Sequence, residues 1–107
     1  MVGGETVLES AHPYGAMSDD VQEYTYDGEC TSLSVTFSDD TITKSHRDYI
    51  YIYDKDGMEI GEYTGDELAG QTITVPGNTV KIRLFAESYR SDYCKYGYRT
   101  TSITVNK

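Results

Sequence analysis

The sequence has no tryptophan and only two cysteines, two prolines and two histidines in 107 residues. Lysine and arginine are scarce too: nine, against 18 aspartates and glutamates, for a net charge of −9. A chain this acidic repels phosphate backbones and anionic headgroups, which argues against nucleic acid as a partner. No apolar run reaches the eighteen or so residues a spanning helix needs, so membrane insertion is not expected. The opening MVGGETV lacks a charged region followed by an apolar stretch and is not a signal peptide. Residues 1–4 read as a cloning start, residues 1–5 as linker, and the whole as a piece of a longer protein. Two cysteines and two histidines, His12 and His46, lack zinc-site spacing. No serine or cysteine sits in a nucleophile motif, and nothing pairs two of the carboxylates as a glycosidase would. The expectation is a protein that is not an enzyme.

What is plentiful is tyrosine, eleven residues, with many threonines and valines. These residues favour strands and half-buried sheet surfaces. The length suits one domain with one core. The acidic excess serves solubility or attracts cations; hard divalent cations want clustered carboxylates.

Short alternating runs recur between Gly, Asp, Asn and Pro. Strands are expected at 6–9, 22–26, 32–37, 49–53, 59–63, 72–75, 80–86 and 96–105. Leu33, Val35, Phe37, Ile50, Ile52, Val80, Ile82 and Leu84 fall on inward faces by the two-residue period. Only 66–70 suggests a helical turn. Asp54-Lys55-Asp56-Gly57 is similar to the start of an EF-hand loop, but the later ligands and flanking helices are missing, so it reads as a β-turn. Long polar loops at 38–47 and 87–95 are where function tends to sit. The fold class is all-β, a two-layer antiparallel sandwich or small barrel.

Three stretches together resemble the CUB domain family in its cysteine-poor branch. They are Glu9-Ser10-Ala11-His12-Pro13-Tyr14, Ser34-Val35-Thr36-Phe37 through Asp48-Tyr49-Ile50-Tyr51-Ile52-Tyr53-Asp54, and Val80 to Phe85 followed by Glu87-Ser88 and Tyr96-Gly97-Tyr98. The resemblance covers roughly 7–105 and implies one domain over 6–106, a jelly-roll-like sandwich, extracellular and used for binding. Many members carry four cysteines in two disulfides; Cys30 and Cys94 match neither pairing. On this alignment Cys30 opens a strand about 23 Å long and Cys94 lies beyond its far end, out of disulfide reach.

The resemblance also implies a calcium site at one end of the sandwich. Asp48 matches the Asp that opens the middle strand. Asp40, with Asp39 beside it, is placed for the first acid, and Glu87 for the late one. Asp40 and Glu87 each differ by one methylene from the acid the family has there. The other reading is that these acids solvate loop tips or cap turns. Tyr49, Tyr51 and Tyr53 share one strand face, spaced about 7 Å apart. Such a row suits stacking on sugar rings, or ordinary packing against Lys81 or Arg83. The functional expectation is a non-catalytic interaction module of a larger surface or secreted protein, calcium-stabilised, with a protein or glycan partner. The alternatives are a carbohydrate-binding module beside a glycan-degrading enzyme, and a structural spacer.

Overall fold

The computed structural model describes residues 8–107. Within them seven strands run in order: β1 (Asp19–Thr25), β2 (Ser32–Phe37), β3 (Asp48–Tyr53), β4 (Glu59–Thr64), β5 (Thr72–Pro76), β6 (Thr79–Ala86) and β7 (Thr100–Asn106). They form two antiparallel sheets, β1-β6-β3-β4 and β5-β2-β7. This is the expected all-β sandwich, and no α-helix occurs among the described residues.

Alternation decides which side chains meet between the sheets. In β2 every second residue is buried, and β3 repeats the pattern with Asp48, Ile50 and Ile52 inward and the three tyrosines outward. All eight expected core residues are at most 2 % exposed. Burying each such apolar side chain contributes about 1.5–3 kcal/mol before the opposing chain entropy is counted. Sequence periodicity missed several core members. Tyr98, Leu68 and Tyr14 lie outside regular strands and are 0 %, 1 % and 3 % exposed. Leu68 enters from the 66–70 segment, which forms successive turns (Glu67 N–H to Thr64 O, Ala69 N–H to Asp66 O) rather than a helix.

Two boundaries differ from expectation by more than one residue. The second strand begins earlier, at Asp19, because β1 pairs with the long β6 along its whole length, Asp19 opposite Phe85 through Thr25 opposite Thr79. The last strand begins at Thr100, because 96–99 leave the ladder: Gly97 bridges Ile42 and Arg99 bridges Glu9. Of the expected first strand, Thr6 and Val7 lie outside the described residues, and Glu9 makes only that isolated bridge. The Asp54–Gly57 turn is a β-turn as read. The Asp54 Oδ1 accepts from Asp56 N–H and Met58 N–H, both at 2.9 Å, and Gly57 takes φ 83°, a conformation that favours glycine.

Candidate functional site

Two places hold the residues singled out in the sequence. The first is the end of the sandwich where β3 begins and β6 ends. Antiparallel pairing sets Asp48 opposite Ala86, which brings the 38–47 and 87–95 loops together. Asp48 is completely buried. Its Oδ1 accepts from the backbone N–H groups of Glu87 and Ser88, each at 2.8 Å. Its Oδ2 accepts from the Tyr14 hydroxyl at 2.6 Å and the Ser88 hydroxyl at 2.8 Å. A carboxylate has about four acceptor positions, so this one is fully engaged by protein donors. Tyr14 is in turn held by the Lys44 N–H, 3.0 Å from its oxygen. Burial, then the bond to Asp48, pushes the Tyr14 hydroxyl far above its usual pKa.

The other proposed ligands do not join Asp48. Asp39, Asp40 and Glu87 are exposed, and Glu87 reaches Asp48 through its backbone N–H, not its carboxylate. Among the described residues no group of three or more His, Cys, Asp or Glu side chains is arranged to hold a metal. As they stand, the residues do not fit a resident calcium ion. Ca²⁺ needs six to eight oxygens, and Asp48, the one buried carboxylate of the four candidates, has no acceptor position to spare. Tyr14 and Ser88, the partners that define this cluster, both fall in the CUB-like stretches, but no local pattern pairs them with Asp48, because their contacts span 34 and 40 residues.

The second place is the outer face of the four-stranded sheet. The Tyr49, Tyr51 and Tyr53 rings follow one another at 6.2 and 6.3 Å, with planes 28° and 19° apart. They are half-buried. Register places Phe85, Arg83 and Lys81 beside them on β6. Asp19, Val21 and Glu23 flank that row on β1, and Thr64, Glu62 and Glu59 lie beyond the tyrosines on β4. Arg83 is clamped by Asp19 through two bonds, Nε to Oδ1 at 2.8 Å and Nη2 to Oδ2 at 2.7 Å. Its guanidinium lies 5.0 Å from the Phe85 ring centroid and 5.9 Å from that of Tyr51. The clamp holds the Asp19 carboxyl below its usual range. Burial, then the charge of Glu62, raises the Tyr51 hydroxyl. Tyr51 thus packs against Arg83, with Lys81 opposite Tyr53 in register, and the row stays half-buried on the outer face. Period-two reading found the tyrosines; the flanking carboxylates needed the strand order.

The remaining polar singletons have structural partners. His12 stacks on Tyr96, ring centroids 3.9 Å apart, and pairs with Glu9 at 2.7 Å. His46 sits in its loop with φ 62° and its N–H on the Thr64 hydroxyl. Cys30 and Cys94 are unpaired.

No protein-family model and no curated protein sequence matches this chain. Solved structures do. A chain containing the "CUB1-EGF-CUB2 domain of human MASP-1/3" aligns with 94% of this chain at a TM-score of 0.72 and 12% sequence identity. The present chain spans 40% of that chain's length. At such identity the likeness concerns the fold, and the fold of this protein is a β-sandwich similar to that of a CUB-containing structure.

Proposed function

We propose that this protein is a non-catalytic interaction module that engages a protein or glycan partner through the outer face of its four-stranded sheet, as one domain of a larger surface or secreted protein. The observation that carries the reading is the row of three evenly spaced, near-parallel tyrosine rings left at the surface beside a clamped arginine. Tyrosine and arginine are the side chains that most often anchor interfaces. Here they stand on a paired sheet, which preorganises them and lowers the ordering cost of binding. The CUB-like fold supports the same reading, since such a sandwich offers broad sheet faces rather than a deep cleft.

The test is a paired array of glycans and peptides probed with the wild-type chain and with Tyr51→Ala. The central ring touches both neighbours, so its loss should abolish most retained signal. Ligands held equally well by the variant would overturn the sheet face as the binding surface.

A further inference from the structure

Resting on that sheet-face reading, we infer that the partner is an extended protein segment with lysine or arginine at every second position, laid along β3. Three observations point to this ligand. First, the aromatic row is edged with acid on its β4 side, and a further acid lies on the same face beyond Arg83 and Lys81 of β6. Glu23 lies on β1, and Glu62 and Glu59 lie on β4. None of these three makes a salt bridge among the described residues. The face holds four carboxylates, counting Asp19, against Lys81 and Arg83, an excess of two negative charges; Asp19 is already spent on Arg83.

Second, the chain as a whole carries −9. Acidic glycans and acidic proteins are repelled at this face, a neutral glycan gains hydrogen bonds from its carboxylates but no long-range attraction, and a cationic segment is drawn in from a distance. Third, the spacing fits. Alternate side chains of an extended peptide repeat every ~6.6 Å, close to the 6.2 and 6.3 Å between successive rings. Cations at alternate positions can therefore meet successive tyrosines, with π-faces below and carboxylates beside them. Lys81, beside Tyr53, is the one cation on the face with no salt bridge among the described residues, and it directs the incoming charges toward the β4 side.

Two synthetic peptides of identical composition test this: one alternating lysine and glycine, one with the lysines in a block. Binding is measured by calorimetry, and the site by amide chemical-shift mapping. The alternating peptide should bind more tightly than the blocked one and shift resonances of β3 and β4. Glu23→Gln, Glu59→Gln and Glu62→Gln together should weaken it roughly tenfold, through two exposed charge contacts on β4 and the longer-range charge of Glu23. The same number of neutralisations off the face, Asp27→Asn, Glu29→Gln and Asp66→Asn, should leave it within about twofold. Equal binding of the two peptides, or equal loss in the two triple variants, would reduce the effect to net charge and overturn the inference. If neither peptide binds but a neutral glycan shifts Tyr49, Tyr51 and Tyr53, the inference falls and the sheet-face reading stands. If the peptide maps onto the loops around Asp48, both fall.

Discussion

The Tyr14 hydroxyl donates to the Asp48 carboxylate at 2.6 Å while accepting the Lys44 N–H at 3.0 Å. One phenol thereby ties the segment before β1 to the start of β3 and to the loop that precedes it. Tyr14→Phe should remove both bonds and leave the part-buried Lys44 N–H and one buried Asp48 acceptor position unmet, a loss of about 1–3 kcal/mol. Asp48→Ala strips the acceptor from four donors at once and should cost more, roughly 3 kcal/mol or beyond. Urea unfolding of the two variants measures both. Equal small losses would mean that the cluster does not hold this end together.

Calcium should not change stability. With both Asp48 oxygens engaged by protein donors, the melting temperature is expected to be the same in millimolar calcium and in chelator. A rise with calcium would show that the cluster reopens, since an ion bound only by the folded state must stabilise it. Asp40, Asp48 and Glu87 would then be the first residues to substitute.

Gly97 should resist replacement. Its φ is +96°, and an added Cβ would run into the Ser10 hydroxyl, which accepts the Tyr98 N–H at 3.0 Å. Gly97→Ala combines left-handed strain with that clash and should cost about 2–4 kcal/mol in thermal or urea unfolding. A neutral outcome would mean that the 96–99 segment is free to shift.

The two thiols should both titrate in the unfolded, unreduced protein, since Cys30 and Cys94 are unpaired. In the folded protein Cys94 should react slowly at neutral pH. Burial first, then the charges of Asp48 and Asp92, raises its pKa, and the thiolate is the reactive form. Fast modification of folded Cys94 would contradict this.

Stability should fall on the alkaline side. Burial raises the pKa of Tyr14, Tyr51, Tyr63 and Tyr98 in the folded chain. Unfolded tyrosine ionises near about 10. Above that pH the unfolded state holds fewer protons than the folded one, so the stability these groups contribute is intact below about pH 10 and lost as pH rises past it. The Tyr98 hydroxyl, buried with no hydrogen-bond partner among the described residues, gives up its proton only late. Urea midpoints should be level from neutral pH to about 9.5 and then drop, less steeply in Tyr98→Phe. A level midpoint well above pH 10 would refute the assignment.

Sequence alone determined the class of fold, the places of the seven strands and most of the core, because these rest on local chemistry. A two-residue period assigns Leu33, Val35, Phe37, Ile50 and Ile52 to one side whatever they later meet. It also placed Tyr49, Tyr51 and Tyr53 on the opposite side, and Asp54-Lys55-Asp56-Gly57 in a turn. Tertiary structure decided what each functional residue touches. Asp48 reads from sequence as a metal ligand at a strand start; only the approach of Tyr14 and Ser88 from 34 and 40 residues away shows its oxygens already occupied. Glu23, Glu59 and Glu62 read as ordinary solvated acids until the order β1-β6-β3-β4 sets Glu59 and Glu62 beside the tyrosine row and Glu23 on the same face two strands away. Hydrogen bonds and charges act over a few ångströms, and strand order, which no local pattern encodes, decides which residues come that close.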